Sequence, residues 1–111
     1  MSHANKKEIR KHFRDSVFKR DGFRCAMCYV KSSKEKAEEE LDAHHITDRH
    51  LMPNGGYVKE NGISLCPECH KKAEEFHSTG TAHPGFAPED LYKAIKSSYE
   101  KAVEASEKLN I

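Results

Sequence analysis

The sequence predicts a small α+β domain that is held together by a bound metal ion and flanked by a helix at each end. Three observations carry this prediction: two separated CxxC pairs, two short β-type runs, and a helical pattern near each terminus. At 111 residues with 36% hydrophobic and 33% charged residues, the chain has the size of one domain but little material for a large core. We therefore expect residues 1–111 to form a single domain that needs reinforcement.

The first predicted element is a basic helix within residues 1–22. An apolar residue recurs every fourth position at Ile9, Phe13 and Val17, which predicts a helix over residues 6–20. Residues 1–34 carry ten basic against three acidic residues, so this end of the chain is suited to face an anion, although a solvated helix face is the alternative. The basic residues that gather on one side of the helix are Lys7, Arg10, Lys11 and Arg14.

The four cysteines predict a structural zinc site. They occur as Cys25-Ala-Met-Cys28 and Cys66-Pro-Glu-Cys69. A CxxC loop is too tight to favour an internal structural disulfide, whereas two such knuckles suit one tetrahedral zinc ion with Zn–S bonds of about 2.3 Å. The alternatives are redox-active pairs, which the lack of a βαβ pattern disfavours, and four unrelated buried thiols.

The remaining elements follow from short patterns along the chain. Residues 31–40 are charged and predict a loop or a brief helix, and a Pro-Asn-Gly-Gly turn follows the first strand. A proline in the first turn favours each of the last two helices. The predicted ranges are 41–46 and 62–65 for the strands, 67–76 for the middle helix, 78–87 for a loop, and 88–109 for a helix in the C-terminal region 88–111.

The N-terminal residues argue against export. Charges stand where a signal peptide would have an apolar stretch, and no apolar run approaches the roughly 20 residues that a membrane span needs. We therefore expect a cytoplasmic protein with no membrane partner, in which thiols stay reduced and a metal site is favoured over disulfides.

Two adjacent histidines, His44 and His45, raise the question of a second metal site. Neighbouring side chains on a strand point to opposite faces, so we expect two different roles, and we expect the strand to twist or end there if both serve one substrate. His70 follows the last cysteine, and a second metal site shared by His44 and His70 is the economical use of both. Glu74, one helical turn beyond His70, could add a carboxylate. His77 and Arg49 are further candidates, for which a solvent-facing position is the alternative.

The order of these motifs resembles the HNH endonuclease family in its zinc-bound form. The resemblance rests on the two CxxC pairs, on Asp42-Ala43-His44-His45-Ile46, on Gly55-Gly56, and on the run from Asn61 to His70. It covers roughly residues 14–77 and implies a ββα-metal fold, with residues 23–77 as the HNH core.

The resemblance implies a role for each matching residue. His45 corresponds to the general base that deprotonates water, Asn61 to the asparagine that steadies the loop and the base, and His44 and His70 to the ligands of a catalytic divalent ion. Many family members have aspartate at the position of His44. Imidazole suits Mn²⁺, Ni²⁺, Co²⁺ or Zn²⁺ better than Mg²⁺, so the identity of the ion stays open among these.

The function that we predict is a metal-dependent DNA endonuclease that hydrolyses phosphodiester bonds with a histidine-activated water. The basic helix would then contact the DNA backbone. Compact HNH chains of this kind resemble those of phages, mobile elements and restriction systems. The alternatives are a non-catalytic zinc-knuckle module that binds nucleic acid and a protein-interaction domain that docks through its C-terminal helix.

Overall fold

A computed structural model describes residues 5–109. Within this range the chain forms a two-stranded antiparallel sheet surrounded by helices, and no helix is long and apolar enough to cross a membrane. The elements are α1 (Lys6–Arg20), α2 (Ala37–Glu40), β1 (Asp42–His45), β2 (Gly62–Leu65), α3 (Pro67–Thr79), α4 (Pro88–Ala94) and α5 (Tyr99–Glu107). Three short 3-10 turns lie in the loop between β1 and β2. The predicted small α+β fold is confirmed.

The sheet places the two adjacent histidines at its end. Strand β1 pairs with β2 so that His44 lies opposite Ile63 and His45 lies opposite Gly62. Every residue of β2 is buried, whereas in β1 only His44 is buried and Asp42 is exposed. Because β1 ends at His45, the regular strand geometry stops where the two histidine side chains diverge.

Helix α1 packs closely against the start of β2, where Gly62 leaves room for it. A Cβ atom on Gly62 would lie 2.5 Å from Val17 Cγ2 and 2.7 Å from Phe13 Cε1, which is closer than atoms can approach without a shift. The helix begins at Asn5, whose side chain accepts a hydrogen bond from the Glu8 N–H, a standard N-cap contact. This close approach brings Phe13 to the sheet beside His45.

The end of α1 is fixed to β2 by a charged junction. Asp21 accepts hydrogen bonds from the Arg20 Nε and from the backbone N–H of Ser64, both at 2.8 Å. Arg20 also donates to the carbonyl of Gly62 at 2.7 Å. These bonds satisfy the carboxylate and the guanidinium within the protein, so both residues orient the helix relative to the sheet.

The structure corrects the prediction of one long C-terminal helix over 88–109. The chain instead forms α4 and α5, which are separated at residues 95–98. Lys96 has a left-handed backbone with φ +57°, and Ser98 caps α5 by accepting a hydrogen bond from the Lys101 N–H at 3.1 Å. The neighbouring Ser97 hydroxyl donates to the carbonyl of Glu60 at 2.8 Å, so a contact with the loop between the strands replaces a helical turn. The last two predicted positions of the region, 110 and 111, lie outside the described residues.

The helix after the second knuckle is longer than predicted. It was expected over 67–76, but α3 continues to Thr79 and ends at Gly80, whose φ of +80° is favourable for glycine. The three added residues include His77. Because α3 continues past residue 76, His77 is part of the helix and reaches the backbone of His45 in β1.

Candidate active site

The four cysteines form one cluster that is suited to hold a metal ion. Their sulfur atoms lie within 4.8 Å of one another, and the Cys28 and Cys66 sulfurs are 3.6 Å apart. A tetrahedral ion with Zn–S bonds of about 2.3 Å places its sulfur ligands about 3.8 Å apart. The Cys28 N–H also points at the Cys25 sulfur at 3.5 Å. The cluster thus has the dimensions that a four-thiolate metal site requires.

Local polarity favours a thiolate at Cys25. Burial alone raises the pKa of this thiol, but hydrogen bonds from the backbone of Cys28, Cys66 and Met27 outweigh it and lower the pKa to about 7. Burial raises the pKa of the Cys69 thiol, with the neighbouring cysteines adding to the effect. A bound cation would reverse the raised pKa of Cys69, because a thiol that coordinates a metal ion is deprotonated.

A second cluster lies where α3 faces β1. His44, Glu74 and His77 each offer a ligand atom, and these atoms lie within 4.8 Å of one another. His70, Glu74 and His77 are spaced i, i+4 and i+7, which places them on one face of α3. Sequence reasoning gave His77 little weight, although this spacing was the signal that could have identified it.

The surroundings of His44 fit a bound cation. Its side chain is 2% exposed, and neither ring nitrogen has a hydrogen-bond partner within residues 5–109. Its Nδ1 lies 3.3 Å from Glu74 Oε1. Burial, and to a lesser extent the nearby His70, lowers the pKa of His44 to about 3, so the imidazole is neutral near pH 7. An ion with bonds of about 2.0–2.2 Å to nitrogen and oxygen would place these ligand atoms about 3.0–3.5 Å apart.

His77 is held in a tautomer that is suited to ligation. Its Nε2 lies 3.0 Å from the backbone carbonyl oxygen of His45. A carbonyl can only accept, so the His77 Nε2 carries the proton and donates it, which leaves the lone pair on Nδ1. A hydrogen bond of this kind fixes both the ring orientation and the nitrogen that can bind an ion.

His70 lies at the rim of this cluster rather than within its tightest group. Its Nε2 is 3.3 Å from Glu74 Oε1, and its Nδ1 is 3.2 Å from the Asp42 carboxylate. Its ring centroid is 5.2 Å from that of His44, and the side chain is 30% exposed. The structure thus brings His44, His70 and Glu74 together as expected, and it adds His77 on the buried side.

His45 occupies the other side of the same cleft. Its ring stacks on Phe13 with centroids 4.5 Å apart, and Tyr57 contacts it edge-on at 4.7 Å. Burial, followed by the positive charge of Arg49, lowers the pKa of His45 to about 4. Its Nε2 has no hydrogen-bond partner within residues 5–109. A cleft of about 360 Å³ is lined by both histidines of the pair and by Arg49, His70, Glu74 and His77.

Asn61 is fully buried and ties together the loop between the strands. Its Oδ1 accepts from the Thr47 N–H at 3.0 Å, and its Nδ2 donates to the carbonyls of Thr47 at 3.0 Å and Gly56 at 3.3 Å. The Tyr92 hydroxyl also donates to Oδ1, at 2.7 Å. The expected contact of the Asn61 amide with the loop between the strands is therefore present. The hydrogen bond from Tyr92 is a contact that sequence reasoning missed.

The basic residues of α1 fall into two groups. Arg10 and Arg14 line a groove beside His45 and Tyr57, whereas Lys7 and Lys11 do not line that groove. Two of these four basic residues also pair with acidic side chains. Lys11 pairs with Asp15 at 2.5 Å, and Arg14 pairs with Glu38 at 3.4 Å.

Arg49 connects this groove to the cleft. Its guanidinium lies 3.4 Å from the Tyr57 hydroxyl, and it lines the cleft of the two histidines as well as a cavity that contains Arg10. Burial raises the pKa of Tyr57, but hydrogen bonds with Arg49 and Arg10 lower it by more. Positive side chains thus extend from the metal cluster past His45 to α1.

Comparison with known proteins gives one result for this segment. The family model described as HNH endonuclease matches residues 25–76, which contain both cysteine pairs, both strands and most of α3. No curated protein and no solved structure matches the chain. The family match, the paired strands followed by a helix, and the four-cysteine cluster together show that residues 25–76 form a ββα-metal segment of the HNH endonuclease family.

Proposed function

We propose that this protein is a metal-dependent DNA endonuclease that hydrolyses phosphodiester bonds. The observation that carries the proposal is the shared cleft: the cluster of His44, Glu74 and His77 and the ring of His45 line the same cavity. Membership of a nuclease family supports the same reaction class. An ion held by the cluster and a general base at His45 could therefore act on the same phosphate group.

His44, Glu74 and His77 would hold the catalytic ion, with His70 at the rim as a further ligand. When bound, a divalent ion would stabilise the charge that develops on the phosphoryl and leaving oxygens. Two imidazoles and one carboxylate favour Zn²⁺, Mn²⁺, Ni²⁺ or Co²⁺ over Mg²⁺. The four-cysteine cluster would hold a structural Zn²⁺, because thiolate ligands select zinc in this geometry.

His45 would act as the general base. Its lowered pKa keeps the imidazole neutral near pH 7, so the ring can accept a proton from water. Its Nε2 is not engaged by another protein group within the described residues, and it does not belong to the metal cluster. Asn61 would support the base indirectly, because its carboxamide holds the loop that contacts His45.

The DNA backbone would lie along Arg49, Arg10 and Arg14. Arg49 lines the cleft that contains His45, Arg10 and Arg14 line a groove that also contains His45, and Arg49 and Arg10 line a third cavity together. Contacts of arginine with phosphates fix the position of a duplex without reading its sequence, and they make binding sensitive to salt. We therefore assign DNA binding mainly to the groove side of α1, with Lys7 and Lys11 contributing at longer range.

A plasmid-nicking assay tests the proposal. Protein stripped of its catalytic ion would be incubated with supercoiled plasmid and Mn²⁺, Ni²⁺, Co²⁺, Zn²⁺ or Mg²⁺, each with and without chelator. We expect nicking with at least one of the first four ions and none with chelator. His45→Ala should abolish nicking while the zinc content and fold are retained, and His83→Ala is the matched control, since His83 lies in the loop after α3 and lines none of the site.

Two outcomes would contradict the proposal. Intact plasmid under every ion, together with retention of DNA, would identify a non-catalytic nucleic-acid-binding module. Nicking by His45→Ala at the rate of the parent would remove His45 from the role of base.

A further inference from the structure

The C-terminal helices are bonded to the loop that surrounds the proposed active site. These helices lie beyond residues 25–76, the segment that the family model matches. Four side-chain hydrogen bonds join residues 92–106 to the loop between β1 and β2. They are Tyr92 Oη to Asn61 Oδ1 at 2.7 Å and to Thr47 Oγ1 at 2.6 Å, Ser97 Oγ to the Glu60 carbonyl at 2.8 Å, and Asn54 Nδ2 to the Ser106 carbonyl at 3.0 Å.

Tyr92 is the most deeply placed of these contacts. The residue is 4% exposed, and its hydroxyl lies 2.6 Å from Thr47 Oγ1 as well as 2.7 Å from Asn61 Oδ1. The amide oxygen can only accept, so the single phenolic proton goes to Asn61 and the Thr47 hydroxyl donates to Tyr92. The direction of every hydrogen bond in this group is thereby determined.

This arrangement fixes which way the Asn61 carboxamide faces. Its oxygen accepts from Tyr92 and from the Thr47 N–H, which uses both lone pairs, so the Nδ2 must face the carbonyls of Thr47 and Gly56. The two ends of a carboxamide have nearly the same shape, and packing alone distinguishes them poorly. The Thr47 N–H, which can only donate, and the two carbonyls, which can only accept, distinguish them by chemistry, and the Tyr92 hydroxyl occupies the second lone pair of the oxygen.

The orientation of Asn61 is transmitted to His45 through two glycines. Gly56 has φ +65°, and a Cβ there would lie 2.7 Å from Asn61 Nδ2, so the loop closes tightly on the amide. The adjacent Gly55 lies against the Tyr57 ring, since a Cβ there would be 2.7 Å from Tyr57 Cε2, and that ring contacts His45 edge-on with centroids 4.7 Å apart. A continuous set of contacts therefore runs from α4 through Asn61 and the loop to His45.

We propose that Tyr92 is a positioning residue for the proposed nuclease reaction, and that its hydroxyl holds the Asn61 carboxamide in its orientation so that the loop keeps His45 in place. The inference rests on the proposed function for its catalytic consequence. Its structural part, the orientation of Asn61, is independent of cleavage and can be measured separately. The C-terminal helices thereby acquire a role at the active site rather than a purely packing role.

Tyr92→Phe tests the proposal, because it removes one hydroxyl and keeps the buried ring. We expect kcat for plasmid nicking to fall by about tenfold, which is the effect of leaving one buried polar partner unsatisfied, with KM unchanged. Zinc content and affinity for the catalytic ion should equal those of the parent. Tyr99→Phe is the matched control, because Tyr99 is 49% exposed and loses the same hydroxyl group at the surface.

Amide hydrogen exchange supplies a readout that does not depend on cleavage. In Tyr92→Phe, the Thr47 amide, which donates to Asn61, should exchange faster than in the parent. The Ala26 amide, which donates to the Ser64 carbonyl near the cysteine cluster, should exchange as in the parent. This pattern is expected of a local change and not of general destabilisation.

Several results would overturn the proposal. A parent-like Thr47 exchange rate, faster exchange at Thr47 and Ala26 alike, or a raised KM with unchanged kcat would each exclude a positioning role. If the parent does not cleave DNA under any ion, the proposed function fails, and the exchange data alone then decide whether Tyr92 orients Asn61.

Discussion

The Nε2 of His77 donates a hydrogen bond to the backbone carbonyl of His45 across a distance of 3.0 Å. This bond joins the helix that carries most of the candidate metal ligands to the strand that carries the candidate base. A shift of α3 would therefore move His77 relative to both His44 and His45. The metal cluster and the base are mechanically connected through one imidazole.

His77→Ala should weaken binding of the catalytic ion by at least tenfold, because the variant loses a partly buried ligand whose tautomer is already fixed. His70→Ala should weaken it less, since His70 lies at the exposed rim. Calorimetric titration with Mn²⁺ or Zn²⁺, after the cysteine cluster is loaded, measures both affinities. The reverse ranking would show that His44 and His70 form the principal pair and that His77 is a neighbour.

Gly62→Ala should destabilise the fold by about 1–3 kcal/mol, which is typical of overpacking, because the new methyl group would collide with Val17 and Phe13. Urea unfolding gives the change in free energy. The added substitution Val17→Ala should cost less in the Gly62→Ala background than in the parent, because it makes room for the methyl group. Additive costs would show that α1 does not press on Gly62.

The acid limb of kcat should have its midpoint well below pH 6.5. In the proposed reaction His45 acts as the base in its neutral form, and its pKa is lowered from 6.5 to about 4, so protonation should inactivate it only at lower pH. A cation bound nearby would lower this pKa further, so the midpoint would still lie below pH 6.5. Nicking rates under saturating metal, with metal occupancy measured at each pH, test this. A midpoint at 6.5 or above would contradict the buried environment of His45.

Arg10→Gln should weaken DNA binding more than Lys7→Gln does. Arg10 lines the groove beside His45 and a second cavity that Arg49 and Tyr57 also line, whereas Lys7 is exposed and lines neither. Removing one phosphate contact should reduce the slope of log affinity against log salt by about 1. Binding measured between low and moderate salt gives this slope. Equal effects of the two substitutions would indicate a diffuse charge effect rather than a contact in the groove.

Local signals explain why much of the fold could be predicted. The bounds of α1 agree with the structure because a cap, an apolar stripe and a terminating Asp-Gly pair all occur within the helix or next to it. The strand at 62–65 was also predicted, because a short apolar run leads directly into a cysteine knuckle. In both cases, the residues that determine the element are close together in the sequence.

Features that depend on distant partners were not predicted. Residues 95–98 are compatible with a helix, and the break there is stabilised by the bond between Ser97 and Glu60, which are 37 positions apart. Tyr92 looks like one more apolar helix residue until its contact with Asn61, 31 positions away, is known. His77 needed both the extension of α3 and its approach to β1. Tertiary contacts of this kind override local preference.

The surroundings of His45 and Asn61 extend beyond the segment that the family model matches. Residues 25–76 contain the four cysteines, His44, Glu74, and Tyr57, which contacts the His45 ring edge-on. The candidate ligand His77, the Phe13 ring that stacks on His45 and the Tyr92 hydroxyl on Asn61 lie outside it. A graft of that segment alone into a foreign scaffold should bind the catalytic ion weakly and cleave poorly, so the smallest portable unit extends from α1 to α4.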